Sequence, residues 1–258
     1  MFKLITYIDV FVTCLMYVHC IHDHAVLNLY KSTFNGDGTY YGKSEGGACS
    51  MNRPNLPPVA HNVDKLVALN SPQFFGSASC GLCLKITGTG NGLGNDPITG
   101  SFTAYVKDLC PECHAGDVDL AENGDGRWDI SIQAIQCPVT SPIEYTLEGS
   151  NNYYIKLKVR NDRMPTTTLE MYQPNHGSWA KLTRSRDGFW LFPNDGTPVD
   201  KPIHLPFRLR LHAPNGEVIE DEVNPPSMSY TGVFHGKGVQ YAKDPSLPSA
   251  DSGSSIVG

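Results

Sequence analysis

Two aspartates flank a short cysteine-bounded turn in the middle of the chain. Asp108 ends an alternating apolar run that predicts a β-strand, and Asp119 lies between Val118 and Leu120. Because strand side chains alternate, Val118 and Leu120 should point inward while Asp119 faces the other way. Two carboxylates held near each other can grip a sugar hydroxyl or protonate a glycosidic oxygen. The alternative is that both are ordinary solvated acids at strand ends.

Length and composition define the class of protein. The chain has 258 residues, which leaves room for two domains of ordinary size. Its 25 glycines and 19 prolines predict many turns and therefore a mostly β structure. A net charge of −6 gives no reason to expect a nucleic-acid partner. The sequence has no phosphate loop, dinucleotide fingerprint or Gly-x-Ser-x-Gly motif, so we expect no cofactor.

The first twenty residues have the pattern of a secretory signal peptide. One lysine at position 3 precedes a mostly apolar run that is too short for a membrane span and is followed by polar residues. We therefore expect residues 1–20 to be removed. The mature chain is expected to be an extracellular, secreted monomer without a membrane segment.

Cysteine usage agrees with secretion. Beyond residue 20 there are six cysteines: Cys49, Cys80, Cys83, Cys110, Cys113 and Cys137. An even number predicts three disulfides, whose pairing cannot be derived from sequence. The two Cys-x-x-Cys motifs also have the spacing of a four-thiolate zinc site, but zinc would leave two cysteines over. We therefore expect disulfides and no metal.

The pattern of strands divides the chain in two. Alternating segments such as Ser79–Ile86 and Trp128–Ile135, separated by glycine turns, predict a closed β-barrel within residues 24–140. After a proline-rich break at Pro138–Pro142, further period-2 strands predict an antiparallel β-sandwich over residues 143–242. Residues 243–258 are rich in Ser, Pro, Gly and Asp and predict a disordered tail.

Candidate binding residues fall into two groups. The barrel group is Thr39, Tyr41, Asp108 and Asp119, and the aromatic group is Tyr153, Tyr154, Phe189 and Trp190. Flat aromatic side chains on one face of a sheet suit stacking on sugar rings. Because neighbours on a strand face opposite sides, we expect one of the two tyrosines to be exposed while the other packs. The alternative is that these aromatic residues form the core of the sandwich.

Several ordered motifs resemble those of expansins. In the first half they are Gly38–Gly42, Gly46–Cys49, Ser79–Ile86, Asp108–Cys113 and Gly116–Leu120, and in the second half Glu148–Tyr154, Val159–Asn161 and Gly238–Tyr241. The resemblance covers residues 30–242. It implies a six-stranded double-psi β-barrel related to family 45 glycoside hydrolases, followed by an immunoglobulin-like sandwich that binds cellulose.

The resemblance also implies roles for residues. Thr39, Asp108 and Asp119 are similar to the polar residues that line the barrel groove, with Asp119 at the place of the general acid of the related hydrolases. Tyr153 and Tyr154 resemble the aromatic pair of the cellulose-binding face. Phe189 or Trp190 would stand in for a third aromatic residue that the family has near Asp187.

One departure separates the chain from the related hydrolases. Those enzymes have a catalytic-base aspartate just after the Thr-x-Tyr of the first strand, where this chain has Gly42 and Lys43. An inverting hydrolase needs an acid and a base about 6.5–9.5 Å apart. We therefore predict a protein that is not an enzyme and that loosens cell walls by disrupting non-covalent contacts of cellulose or a related β-glucan. There are two alternatives. One is a weak endoglucanase or lytic transglycosylase that uses Asp119, and the other is a wall- or chitin-binding defence protein.

Overall fold

The computed structural model describes residues 24–52 and 55–250. The predicted signal peptide, residues 1–20, lies outside these ranges, as do the last eight residues of the predicted tail. Within the described ranges no helix has the length and apolar character needed to cross a membrane.

Six strands in the first half of the described chain close into a barrel, so the predicted closed barrel is confirmed. They are β1 (Phe34–Tyr40), β2 (Lys65–Asn70), β3 (Cys83–Leu93), β4 (Thr99–Cys110), β5 (Val118–Leu120) and β6 (Arg127–Ile135). Their order around the barrel is β1-β5-β2-β4-β3-β6. The pairs β1–β5 and β2–β4 are parallel, whereas the other neighbours are antiparallel.

Short helices connect some of these strands. Residues 24–31 form helix α1, which precedes the barrel. Helix α2 spans Ser71–Phe74, and 3₁₀ turns span Pro58–His61 and Phe75–Ser77.

Strands in the second half form two open sheets. The strands are β7 (Glu144–Leu147), β8 (Lys156–Arg160), β9 (Thr168–Gln173), β10 (Ser178–Lys181), β11 (Thr183–Arg184), β12 (Trp190–Leu191), β13 (Phe207–His212), β14 (Val218–Val223) and β15 (Val233–His235). The four-stranded sheet has the order β10-β9-β13-β14 and the five-stranded sheet the order β11-β12-β8-β7-β15. The Tyr145 hydroxyl on β7 donates a hydrogen bond of 2.8 Å to Asp221 on β14, and so joins the two sheets.

The barrel and the two sheets contact each other through buried polar groups. Asn161, just after β8, adopts a positive φ of 63° and accepts a hydrogen bond of 2.9 Å from the Val59 amide. The Lys158 ammonium donates to the carbonyl of Cys49 in the barrel half and, at 2.7 Å, to that of Asp187. These contacts hold β8 against the barrel.

The three predicted disulfides are confirmed, and the structure supplies their pairing. Cys49 bonds to Cys80, Cys83 to Cys137 and Cys110 to Cys113. Because Cys80 and Cys83 bond to different partners outside the second Cys-x-x-Cys motif, the two motifs do not assemble into the alternative zinc site.

The prediction of a disordered tail from residue 243 is wrong for residues 243–250, which pack on the end of β6. The side-chain amide of Gln136 donates to the carbonyls of Asp244 and Leu247, at 2.8 and 3.0 Å. The Gln136 backbone amide donates at 2.8 Å to Pro248, and Leu247 is only 7% exposed. A buried glutamine thus satisfies the backbone of a segment whose polar composition alone favours disorder.

Candidate functional site

Thr39 and Asp119 lie directly opposite each other on the parallel strands β1 and β5. The Thr39 hydroxyl donates a hydrogen bond of 2.7 Å to the Asp119 carboxylate. Val118 and Leu120 are buried and Asp119 is half-buried, as the alternation predicts. The short strand β5 therefore holds one carboxylate at the barrel surface with a defined partner.

A β-bulge in β4 directs the second carboxylate. Val67 of β2 pairs with Val106, whereas the next residue, Ala68, pairs with Asp108, so that Lys107 is the extra residue. Bulges re-aim side chains and are common beside functional sites. Here the bulge changes the direction in which Asp108 leaves the strand.

The loop after β1 secures this bulge. The buried ammonium of Lys107 donates to the carbonyls of Ser44 and Gly46, at 2.8 and 2.5 Å. The Asp108 carboxylate accepts hydrogen bonds from the amides of Ala48, at 2.6 Å, and Leu109, at 2.8 Å. Two backbone amides therefore fix the orientation of the Asp108 carboxylate.

The register places the two aspartates around one residue. Ala68 of β2 pairs with Asp119 on one side and with Asp108 on the other. Their backbones are thus two strand spacings apart, about 10 Å. We call the surface formed by Thr39, Tyr41, Asp108 and Asp119 the barrel groove.

Tyr41 connects the two aspartates electrostatically. Three effects raise the pKa of the Tyr41 hydroxyl. Burial is the largest, the neighbouring Asp108 carboxylate is the next, and Asp119 is the smallest. The Tyr41 hydroxyl is buried and faces the Asp108 carboxylate.

Burial also raises the pKa of Asp119. The hydrogen bond from Thr39 acts in the opposite direction and lowers it, as does the charge of Arg127, whereas Glu112 raises it. Arg127 itself forms an ion pair of 2.7 Å with Asp37. A carboxyl group with a raised pKa can act as a proton or hydrogen-bond donor in weakly acidic solution.

The position that would hold a catalytic base carries no carboxylate. The Gly42 amide donates at 3.1 Å to the carbonyl of Glu122. The Glu122 carboxylate, however, is engaged by the Lys65 ammonium at 2.6 and 2.9 Å. The acid brought beside Gly42 by the fold is thus neutralised by an ion pair.

The predicted tyrosine pair is at the surface, but its arrangement differs from the prediction. Tyr153 is 64% and Tyr154 41% exposed, so that neither is packed inside. They lie in a turn before β8, in which the amides and carbonyls of Asn151 and Tyr154 bond to each other at 2.9 and 3.2 Å. The alternation rule applies to extended strands and fails in this turn.

The prediction that Phe189 and Trp190 contact sugar is wrong. Each is only 3% exposed. The ammonium groups of Lys156 and Lys158 lie 4.4 and 4.3 Å from the centroid of the Phe189 ring, and the Arg184 guanidinium lies 4.2 Å from that of the Trp190 ring. Cations on neighbouring strands bury these rings, which agrees with the alternative of core aromatics.

Sequence reasoning missed the residues that tune the groove, Lys107, Arg127 and Glu112. A signal for Lys107 was present, because the consecutive polar residues Lys107 and Asp108 interrupt the alternation of β4. Arg127 and Glu112 reach Asp119 from other segments of the chain, and no local pattern marks them.

Comparisons with known proteins agree with this architecture. No protein-family model matches the chain. Expansin-YoaJ of Bacillus subtilis (strain 168) is 24% identical over 204 residues, which cover 75% of this chain and 79% of the relative. Expansin-like protein 5 of Dictyostelium discoideum is 22% identical over 204 residues, covering 73% and 79%.

Solved structures show the same fold. Apo Clavibacter michiganensis expansin superimposes with a TM-score of 0.60 at 24% identity, covering 77% of this chain and 94% of that chain. A point mutant of a Clavibacter michiganensis expansin in complex with cellohexaose gives 0.64 at 24% identity, covering 83% and 100%. The chain is thus similar to expansins in sequence and has the fold of the solved expansin structures. The resemblance to expansins, inferred from sequence motifs, is therefore confirmed.

Proposed function

We propose that this chain is a secreted, extracellular protein that binds cellulose or a related β-glucan and loosens cell walls without hydrolysing the polymer. The observation that carries the proposal is that the position of the general acid has a carboxylate whereas the position of the catalytic base has none. Asp119 is a half-buried acid held by Thr39, whereas the position after Tyr41 has no carboxylate. An acid without a base can bind and polarise a glycan but lacks the group that activates water.

The domain organisation that goes with this function is also a proposal. Residues 24–140 would form a double-psi β-barrel domain, and residues 143–242 an immunoglobulin-like carbohydrate-binding sandwich. The buried residues of β7 and β8 in one sheet and of β9 and β13 in the other, together with the Tyr145–Asp221 contact, support the sandwich. The cellohexaose complex of the similar Clavibacter expansin supports a glucan as the ligand.

Two surfaces would contact the polymer. The barrel groove offers hydroxyl and carboxylate groups that suit sugar hydroxyls. Tyr153 and Tyr154 offer exposed rings that suit the apolar faces of sugars. Binding by both surfaces to one wall polymer would displace its contacts with neighbouring chains.

The test measures wall extension and sugar release together. Purified protein is added to strained cellulosic wall strips and to soluble glucan, with Asp119→Asn in parallel. Asp195→Asn, which makes the same change in an exposed loop of the second half, is the matched control. We expect wild type and Asp195→Asn to extend the strips without new reducing ends, and Asp119→Asn to lose extension.

Other results would reject the proposal. Reducing-end release by wild type that is lost in Asp119→Asn would identify a glycosidase, and release of anhydro-sugars would identify a lytic transglycosylase. The binding surface is tested by a cellulose pull-down of the double variant Tyr153→Ala/Tyr154→Ala, with the exposed Leu93→Ala as control. Retention on chitin but not on cellulose would favour the defence-protein alternative.

A further inference from the structure

The chain contains four Asn-Gly pairs, which begin at Asn35, Asn91, Asn123 and Asn215. Asparagine is thermolabile, and a following glycine has no side chain to obstruct attack of its backbone nitrogen on the asparagine side-chain amide. The attack requires an accessible side chain and a glycine amide that is free to turn toward it. Hydrogen bonds to either group should therefore protect the pair.

Three of the pairs are held by hydrogen bonds or strand pairing. Asn35 and Asn91 lie within β1 and β3, and the glycines that follow them pair with residues of β6. The Asn215 side chain donates to Asp244 at 2.9 Å and accepts from the Glu217 amide at 3.1 Å. The glycine amide that follows Asn215 is hydrogen-bonded as well.

The pair at Asn123 is not held in this way. Asn123 and Gly124 are both exposed in the loop after β5. Among the residues that the structure describes, neither the Asn123 side chain nor the Gly124 amide takes part in a hydrogen bond. The loop is nevertheless anchored on both sides by backbone hydrogen bonds of Glu122 and Asp125. We therefore expect this pair to react first, within a loop that keeps its place.

Asn123 lies beside the place of the absent catalytic base. A Cβ built on Gly42 would be 3.6 Å from the side-chain oxygen of Asn123. The parallel alignment of β1 with β5 continues past both strands, because the Gly42 amide bonds to the Glu122 carbonyl. Four positions separate Asp119 from Asn123, so their Cα atoms are at most about 14 Å apart. This limit is compatible with the separation of about 6.5–9.5 Å between the carboxyl groups of an inverting pair.

We propose that Asn123 is a site of spontaneous deamidation, and that the carboxylate formed there gives the barrel groove a general base and makes the protein a weak β-glucan hydrolase. In the deamidation, the Gly124 nitrogen bonds to the side-chain carbonyl carbon of Asn123. The side-chain nitrogen leaves as ammonia and takes the proton of the Gly124 amide. Water then cleaves one C–N bond of the cyclic imide and releases a carboxylate, as aspartate or isoaspartate.

The new carboxylate completes the pair that inverting hydrolysis needs. It takes a proton from an attacking water while Asp119 protonates the leaving glycosidic oxygen. The bond from the sugar carbon to the leaving oxygen breaks as the bond from that carbon to the water oxygen forms. The inference rests on the proposed function, because it requires a glucan in the groove of a protein that begins without a base.

The modification is tested by incubating purified wild type in mildly alkaline buffer, followed by peptide mapping with mass spectrometry. We expect deamidation at Asn123 to be at least about fivefold faster than at Asn215, since the loss of one ordinary hydrogen bond is equivalent to a factor of about that size. A rate at Asn123 no greater than that at the three held asparagines would overturn the proposal.

The catalytic part is tested with Asn123→Asp, which supplies the carboxylate directly. Asn224→Asp, the same change at an exposed residue of the second half, is the matched control. We expect Asn123→Asp to release reducing ends from soluble β-glucan about 100-fold faster than wild type, at the lower end of the contribution of one general base. Adding Asp119→Asn should abolish this gain. Incubated wild type should gain activity, whereas incubated Asn123→Gln should not.

The outcomes separate this inference from the proposed function. If Asn123→Asp binds glucan but releases no more reducing ends than Asn224→Asp, the inference is overturned and the non-hydrolytic function stands. If freshly purified Asn123→Gln already hydrolyses glucan, the proposed function and the inference both fail, because the groove then contains another base.

Discussion

Replacing Thr39 with valine should raise the pKa of Asp119. The substitution keeps the shape of the side chain but removes the hydroxyl that donates to the Asp119 carboxylate at 2.7 Å. That hydrogen bond opposes the effect of burial, which already holds the pKa of Asp119 above its ordinary value. Its removal destabilises the charged form of the carboxyl group and leaves the neutral form less affected.

The size of the shift follows from the exposure of the pair. Hydrogen bonds to charged groups contribute about 1.5–3 kcal/mol. Thr39 and Asp119 are both partly exposed, so water replaces part of the lost bond and the lower end of the range applies. A loss of about 1.4 kcal/mol corresponds to about one pKa unit.

The assay is an NMR titration of the Asp119 carboxyl group in wild type and Thr39→Val. Thr87→Val is the matched control, since the Thr87 hydroxyl bonds to Ser101 at 2.7 Å elsewhere on the barrel surface. The control should leave the pKa of Asp119 unchanged. An unchanged or lower pKa in Thr39→Val would refute the account, because it would mean that Thr39 does not stabilise the carboxylate.

Two further predictions concern the bulge and the buried charges. A Cβ at Gly47 would lie 2.5 Å from the Lys107 carbonyl oxygen, so Gly47→Ala should lower the free energy of unfolding by about 1–3 kcal/mol. At Gly46 the nearest atom would be 3.6 Å away, so Gly46→Ala should change the free energy of unfolding by less than about 1 kcal/mol. Equal effects in urea denaturation would contradict this. Burial raises the pKa of Asp162 from 3.8 to about 6, so the folded state binds the Asp162 proton more tightly than the unfolded state does. The free energy of unfolding should therefore fall by up to about 3 kcal/mol as pH rises from about 4 to 6. Burial lowers the pKa of Lys158 from 10.5 to about 7, so the free energy of unfolding should rise again from pH 7 toward 10.5. Urea denaturation across this range should show both slopes, the first flattened by Asp162→Asn and the second by Lys158→Met; unaltered slopes in the variants would assign them to other groups.

Much of the barrel could be predicted from local patterns. Alternation of apolar and polar residues identified β5 and β6 and the outward direction of Asp119, because a strand has a side-chain period of two whatever packs against it. The even number of cysteines predicted disulfides because cysteines of a secreted chain are oxidised in pairs. The groove residues Thr39 and Asp119 were found through ordered motifs, and the parallel pairing of β1 with β5 brings them together.

Other features depend on contacts between distant segments. The bulge at Lys107 exists because the loop after β1 supplies carbonyl oxygens to its ammonium group. The burial of Phe189 and Trp190 depends on cations from β8 and β11, and the order in residues 243–250 depends on Gln136.

Local patterns were enough to predict most of the barrel strands, the oxidation of the six cysteines after residue 20 and the outward direction of Asp119. The disulfide pairing, the direction of Asp108 and the exposure of the aromatic rings could be learned only from the folded chain. Periodicity and composition report on each residue and its near neighbours along the chain. Burial, register shifts and ion pairs are set by groups that the fold brings together from far apart in sequence.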